Sequence, residues 1–228
     1  MISFIKAKVE YKKVIGDRFL LKLNKNLNFL PGQFISIVLE KEGKKIIRQY
    51  SIASPPNEKI ELYVKRVKNG IVSNYLYNLE VGNEITFMGP FGKFNLNNNN
   101  KNKDKVFIAV GTGIAPIRSM IKYLLNKKYE GNIYLYYGNR HFYDYFFYDE
   151  FKNLSNKYKN FYFYPVLSRP EKDIEWKGYK GYIQDNINLK DFKDKEVYIC
   201  GSKNAVNINK KLVLNRGCDK NNLFIEGF

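Results

Sequence analysis

The sequence predicts two domains of different class: an antiparallel β-barrel over residues 1–96, and a doubly wound α/β domain with a parallel sheet over residues 106–228. Three observations carry this. Residues 1 to 94 read as short strands punctuated by proline and glycine turns. From residue 106 onward, apolar runs alternate with segments of helical spacing. Between them, residues 97–105 form a polar Asn/Lys-rich linker that adds nothing to a core. A chain of 228 residues also suits two domains better than one.

In the first half the candidate strands cover 5–14, 19–23, 33–39, 46–53, 59–65 and 84–88. Pro31-Gly32, Gly43, Pro55-Pro56-Asn57 and Gly82-Asn83 mark turns between them. One helix-like segment, 72–79, interrupts the pattern, with Ser73 as N-cap and Tyr75, Leu76 and Leu79 as its apolar face. Six short strands with one helix read as a closed antiparallel barrel. In the second half, strands are expected at 106–110, 133–137, 161–166, 197–200 and 223–225. Helices are expected at 117–126, 145–154 and 204–215, the last stopped by Gly217.

Composition excludes several function classes. No apolar run reaches the roughly 18–20 residues that span a bilayer, and the N-terminus alternates instead of forming a signal-peptide core. Two cysteines, Cys200 and Cys218, and one histidine, His141, rule out a disulfide framework, a four-cysteine iron–sulfur or zinc site, and a histidine-rich metal centre. A soluble cytoplasmic protein without a metal site is expected. The net charge of +17 is spread along the chain, with eight excess positive charges in residues 1–96 and nine in the rest. It forms no basic tail, so it is either a generally basic surface or a face that attracts an acidic partner.

The stretch Val110-Gly111-Thr112-Gly113-Ile114-Ala115-Pro116 joins a buried strand to a helix through a turn with two glycines. Such a turn offers free backbone N–H groups to a phosphate, although it lacks the third glycine of the dinucleotide fingerprint and equally fits a tight turn that binds nothing. Ligands of doubly wound sheets sit beyond the carboxyl ends of the strands. There the sequence places Gly111-Thr112-Gly113, Gly138-Asn139-Arg140, Ser168-Arg169 and Cys200-Gly201-Ser202. The barrel half has Arg48-Gln49-Tyr50-Ser51 at a strand end, where alternation puts Arg48 and Tyr50 on one face and Ser51 on the other. An arginine pairs with phosphate, a tyrosine covers an aromatic ring and a serine hydrogen-bonds a ring nitrogen. Tyr63-Val64-Lys65-Arg66 by itself is an ordinary amphipathic strand end, and Gly70-Ile71-Val72-Ser73 is a helix start that caps the helix or holds a pyrophosphate.

Taken in order, and with Gly89-Pro90-Phe91-Gly92-Lys93-Phe94 between the halves, these motifs closely resemble the ferredoxin–NADP reductase family over essentially the whole chain. The resemblance implies an FAD-binding barrel joined to an NADP-binding domain. Arg48, Gln49, Tyr50 and Ser51 would contact the flavin, Tyr63, Val64 and Lys65 would line it, and Gly70, Ile71, Val72 and Ser73 would hold its pyrophosphate. Thr112 and Phe228 would also touch FAD. For NADP the resemblance implies Gly111, Thr112, Gly113, Gly138, Asn139, Arg140, Ser168, Arg169, Lys180, Tyr182, Cys200, Gly201 and Ser202, with Arg169 and Lys180 toward the 2′-phosphate. Ser51, Cys200, Glu226 and Phe228 would be the catalytic set. The nicotinamide C4 would meet the flavin N5 near the first three, and the terminal aromatic would be a gate that moves before the nicotinamide stacks.

Three departures from the family pattern stand out. Ala205 replaces an apolar methionine, Phe228 replaces a terminal tyrosine, and Arg66-Val67-Lys68-Asn69-Gly70 lacks the aromatic residue that supports the FAD adenine. The missing aromatic keeps FMN as an alternative to FAD; NAD(H) is an alternative to NADP(H) because NAD-specific members of the resembling family also carry Ser-Arg.

The implied function is electron transfer between NADPH and an acidic carrier, ferredoxin or flavodoxin, that docks on a lysine-rich rim. The rivals are an NAD(P)H–flavin reductase, a reductase subunit of a monooxygenase or larger redox complex, and a nucleic-acid-binding barrel. The last leaves the second half of the chain unexplained. No membrane insertion and no nucleic-acid partner are expected.

Overall fold

The computed structural model describes residues 3–97 and 102–228, so positions 98–101 of the expected linker lie outside the described residues. The chain divides into two compact units, residues 1–96 with 118–123, and residues 97–117 with 124–228.

The first unit is a six-stranded antiparallel sheet in the order β4-β3-β6-β1-β2-β5. Its strands are β1 (Ile5–Ile15), β2 (Arg18–Asn26), β3 (Phe34–Lys41), β4 (Lys44–Ser51), β5 (Lys59–Lys65) and β6 (Glu84–Phe91). The bridge between Ile52, just past β4, and Leu62 of β5 joins the two outer strands and closes the barrel. Alternation sends Ala7 and Val9, Phe19, Leu21 and Leu23, Ile35 and Ile37, Ile60, Leu62 and Val64, and Ile85 and Phe87 inward to a single core. Each fully buried aliphatic or aromatic side chain contributes about 1.5–3 kcal/mol.

The helix α1 (Ile71–Asn78) adds Val72 and Leu76 to that core. It starts earlier than the apolar face suggests. Gly70 is its N-cap, and Ser73 stands three residues inside, its hydroxyl accepting the Val67 N–H at 3.2 Å. The expected Ser73 cap is thereby corrected: the hydroxyl braces the preceding turn. Arg118 also belongs to this unit, donating to Glu61 Oε2 at 2.7 Å and to the Ala53 carbonyl at 2.8 Å.

The second unit is a six-stranded parallel sheet in the order β10-β9-β8-β7-β11-β12. Its strands are β7 (Lys105–Val110), β8 (Ile133–Asn139), β9 (Phe161–Leu167), β10 (Tyr179–Lys180), β11 (Glu196–Gly201) and β12 (Leu223–Gly227). The helices α2 (Ile114–Asn126, of which residues 118–123 count with the first unit), α3 (Tyr148–Lys157), α4 (Ile183–Asn186) and α5 (Lys203–Asn215) alternate with them. β7 and β11 are buried along their length apart from a half-buried Val110, which is why they read as continuous apolar runs. On one face, Val106, Ile108, Tyr136 and Ile199 pack with Ile183 of α4 and Val206 and Val213 of α5. On the other, Phe151 of α3 meets Tyr137, Phe161 and Phe163.

Several boundaries shift from the expected ones. A 3₁₀ turn, Gly111–Gly113, follows β7 directly and α2 begins at Ile114, three residues early. Pro116 is tolerated there because first-turn N–H groups have no helical acceptor. α3 begins at Tyr148, because the residues ahead of it form a separate 3₁₀ turn, Phe142–Asp144. The pieces β10 and α4 are too short to leave a periodic signal. Lys105, placed in the polar linker by composition, is instead a buried strand residue, in register with Glu196 and paired to its carboxylate. Tyr198 donates its hydroxyl to the same carboxylate at 2.9 Å.

Candidate functional site

In the second unit the strand order reverses beside β7. The chain moves outward through β8, β9 and β10, then returns to the opposite side of β7 as β11. The crevice at the carboxyl end of such a reversal is where doubly wound sheets bind ligands. At that point Gly111 has φ +58°, a left-handed value that suits glycine. A Cβ added to Gly113 would stand 2.2 Å from the Cys200 carbonyl oxygen, and one on Gly201 would stand 2.9 Å from Val110 Cβ. The ends of β7 and β11 therefore meet main chain to main chain, with Thr112 half-buried beside them.

Register pairs Cys200 of β11 with Glu226 of β12, and the thiol points at the Glu226 carboxylate with Sγ 4.0 Å from Oε2. Burial pushes the Glu226 carboxyl up to about 7. Burial, followed by the neighbouring Glu226, drives the Cys200 thiol well above its ordinary range, so it is a neutral thiol and not a nucleophile. Phe228 is pinned by its main chain: its N–H donates to Gly201 O at 3.2 Å and its carbonyl accepts from Lys203 N at 3.4 Å. The residue is 61% exposed. Ser202 caps α5, its hydroxyl accepting the Ala205 N–H at 3.5 Å.

At the next strand ends, Ser168 N–H donates to Asn139 O at 3.0 Å and Arg169 N–H to Arg140 O at 2.8 Å. β10 sets Lys180 opposite Leu167, the residue before Ser168, so Ser168, Arg169, Arg140 and Lys180 share one rim. Asn139 is 7% exposed, and neither of its carboxamide atoms has a hydrogen-bond partner among the described residues. An unsatisfied buried amide costs about 1–3 kcal/mol, so this one calls for a polar partner, a water or a ligand. Gly138 backs onto Ile183, and Tyr182 is exposed at the start of α4.

In the barrel, register sets Arg48 and Tyr50 opposite the inward-facing Ile37 and Ile35, on one face as alternation requires. Arg48 is exposed, its guanidinium on the Ile47 carbonyl at 2.8 Å. Tyr50 packs partly into the core, and burial raises its phenol to about 12. Gln49 is exposed and Ser51 half-buried. The Ile52–Leu62 bridge brings Ser51 alongside Tyr63. Tyr63, Val64 and Val72 are core residues, so Val64 and Val72 have main chain to offer a ligand, whereas Lys65 is exposed and 3.4 Å from Asp17. Gly70 caps α1 with no side chain on its first amides, and Ile71 is exposed. A helix start of this kind accepts an anion. Asn74 braces the approach, its Nδ2 donating to Val67 O at 2.8 Å and Gly70 O at 2.6 Å.

Two residues at the sheet rim escaped the sequence reading. Glu171 and His141 face each other at 3.0 Å from loops thirty positions apart, and no local pattern announces such a pair. Among the described residues no His/Cys/Asp/Glu group could hold a metal ion. Nor is any helix there long and apolar enough to cross a membrane.

A barrel with an anion-ready helix start and a parallel sheet with a glycine-lined reversal point define a class of two-domain flavin and nicotinamide-nucleotide oxidoreductases. Comparison with known proteins agrees. The oxidoreductase FAD-binding domain matches residues 6–96 and the oxidoreductase NAD-binding domain residues 107–211. The chain belongs to the ferredoxin-reductase-like family.

It is 32% identical over 209 residues to the CDP-6-deoxy-L-threo-D-glycero-4-hexulose-3-dehydrase reductase of Yersinia pestis, covering 89% of this chain and 60% of that one. With the glycine betaine monooxygenase reductase subunit of Pseudomonas aeruginosa it shares 29% identity over 208 residues, 88% of this chain and 56% of that one. The chain thus spans little more than half the length of these relatives. A ferredoxin NADP⁺ reductase from Neisseria gonorrhoeae, solved with FAD and NADP, superposes with a TM-score of 0.87 over 98% of both chains at 20% identity, a likeness of fold.

Proposed function

We propose that this protein takes a hydride from NADPH onto FAD and passes the electrons singly to a separate carrier protein. FAD supplies the change from two-electron to one-electron chemistry. The residues present fit both groups: α1 offers uncapped first amides to a pyrophosphate, and the buried Asn139 carboxamide lacks a partner at the nucleotide rim. Arg48 would pair with the FAD phosphates, Tyr50 and Tyr63 would flank the flavin ring, and Ser51 would hydrogen-bond it. Gln49, Lys65, Thr112 and the main chain of Val64 would complete its surroundings. Gly111, Gly113, Gly138, Gly201 and Ser202 would let the nucleotide approach the main chain. Arg140, Ser168, Arg169, Lys180 and Tyr182 would take its adenosine and phosphates. Arg169 and Lys180 on one rim favour NADP over NAD, because a 2′-phosphate needs two such cations.

The observation that carries this reading is the Cys200–Glu226 pair at the strand-order reversal. A carboxyl that titrates near neutrality can hold or release a proton at the reacting end of the nucleotide. The neutral thiol packs there without competing as a base. Phe228, exposed with its main chain fixed, would cover the flavin and swing aside for the nicotinamide.

The 228 residues hold two cysteines, too few for an iron–sulfur centre within them, which supports a one-electron carrier outside these two domains. The net charge of +17 favours an acidic carrier such as ferredoxin or flavodoxin. A second reading, a reductase component serving an oxygenase, is favoured by the name of the P. aeruginosa relative.

An absorption spectrum of the purified protein, followed by anaerobic titration with NADPH and NADH, tests the core of the proposal. The expected result is bound flavin that NADPH bleaches at lower concentration than NADH. A colourless protein that takes up neither FAD nor FMN would sink it. Electron delivery that does not change between low and high salt would remove the acidic-carrier part.

A further inference from the structure

The segment from Ser168 to Gly178 leaves β9 and returns as β10, and its two ends are anchored by different chemistry. At the far end Trp176 stacks on Tyr145 with ring centroids 5.7 Å apart and planes 19° from parallel. Its Nε1 donates to Tyr179 O at 2.8 Å. At the near end, beside Arg169, the anchor is a carboxylate. Glu171 Oε2 accepts the Phe142 N–H at 3.1 Å, and Oε1 lies 3.0 Å from His141 Nδ1. The receiving loop is itself braced. The His141 ring stacks on Tyr143 with centroids 5.0 Å apart, and Asp144 Oδ2 accepts the His141 N–H at 3.3 Å.

We propose that Glu171 is a positioning residue for the phosphate end of the bound nucleotide: its carboxylate ties the turn bearing Ser168 and Arg169 to the loop bearing Asn139 and Arg140. This rests on the reading of Ser168, Arg169 and Lys180 as the nucleotide-phosphate subsite. The rim gathers Arg140, Arg169 and Lys180, and like charges on two adjoining loops push those loops apart. Glu171 sets an anion between the loops, on the Phe142 N–H and beside His141. It both offsets that repulsion and fixes the angle at which Arg169 leaves the turn.

Burial alone would push the Glu171 carboxyl up, but the Phe142 N–H, then its own backbone N–H and His141, outweigh it and hold it below the usual carboxylate range. The unpartnered Asn139 carboxamide, on the residue whose carbonyl receives Ser168, independently calls for a polar partner at this rim. A nucleotide binding to an unclasped turn must first order it, and ordering costs affinity.

The test is calorimetric titration of the flavin-loaded protein with 2′,5′-ADP and with 5′-AMP, beside steady-state kinetics with NADPH. Glu171→Ala is expected to weaken 2′,5′-ADP about tenfold and 5′-AMP less than threefold, and to raise the NADPH KM about tenfold with kcat within twofold. Glu171→Gln keeps an acceptor for the Phe142 N–H and should recover part of the loss; it also decides the matter if Glu171→Ala does not fold. Arg169→Ala separates the two layers of the argument. If it loses 2′,5′-ADP while both Glu171 variants bind like wild type, the positioning role is overturned and the phosphate subsite stands. If Arg169→Ala binds 2′,5′-ADP as tightly as wild type, the subsite falls and the inference with it. Equal weakening of both nucleotides with a matching fall in kcat is general structural damage and overturns the proposal.

Discussion

In the barrel, the candidate residues sit at strand ends and on a helix tip, held by side chains that reach back to nearby main chain. Arg48 rests on the Ile47 carbonyl, Ser73 on the Val67 amide, and Asn74 on the carbonyls of Val67 and Gly70. In the parallel sheet two of the candidate glycines, Gly113 and Gly201, instead stand where a neighbouring strand leaves no room for a Cβ, whereas Gly138 faces the Ile183 side chain and Gly111 open space. The first arrangement yields to a substitution by moving a side chain. The second has to move a strand. Substitutions of similar size should therefore cost far more in the sheet.

The largest effect is expected beneath the sheet rim, at the amino ends of β7 and β11. Lys105 and Glu196 are buried together there, with side-chain exposures of 2% and 0%. Lys105→Met would leave the Glu196 carboxylate buried and without the Lys105 charge that pairs with it, the Tyr198 hydroxyl still donating to it. Stability should fall by about 3–5 kcal/mol, read by urea denaturation. Adding Glu196→Leu to Lys105→Met should restore most of it. A single variant as stable as wild type would show that the sheet interior is softer than its burial implies.

Gly113→Ala comes next. A methyl 2.2 Å from the Cys200 carbonyl has no flexible neighbour to displace, so β7 and β11 must separate at their carboxyl ends. A loss of about 3 kcal/mol is expected, together with weakened nucleotide binding. A crystal structure of the variant with β7 and β11 unmoved would break the comparison.

The sheet and the barrel were legible in the sequence for different reasons. Inward alternation in β2 and β5 and the apolar runs of β7 and β11 are direct records of one-sided and two-sided burial. The strand-end motifs were legible because glycine next to an apolar run marks close approach of main chain. What stayed hidden depends on pairing across distance. Lys105 reads as linker until Glu196, ninety-one positions away, lies beside it. Glu171 reads as a surface charge until β9 carries it to His141. β10 owes its two residues to the neighbouring strand alone.

Glu226 ties the sheet half to pH. Its folded-state carboxyl titrates near 7, against an ordinary value of 4.5, so the native state favours the protonated form. Stability from this group is present below the unfolded value and is lost as pH rises from about 4.5 through 7. Glu226→Gln, which stays neutral, should therefore gain on wild type in melting temperature across that window and match it at lower pH. The same substitution should remove an inflection near pH 7 from the NADPH-dependent rate. A wild-type profile that is flat through neutrality, or an inflection that survives in the variant, would detach Glu226 from the proton step.

The smallest expected effect gives the sharpest contrast. A Cβ on Gly70 would stand 2.5 Å from Ser73 Oγ and 3.1 Å from Val67 Cβ, distances that again look prohibitive. Yet the nearest atom here is the tip of a serine side chain, free to rotate about χ1, and Gly70 already has φ −81° and ψ 119°, which alanine adopts readily. The hydroxyl can rotate off the Val67 amide while α1 keeps its place through Val72 and Leu76 in the core. Gly70→Ala should therefore cost less than about 1 kcal/mol, with FAD binding weakened more than stability because the new methyl crowds the helix start. A loss as large as that of Gly113→Ala would mean that the barrel half, too, is held by main-chain contact and that its loop-braced appearance misleads.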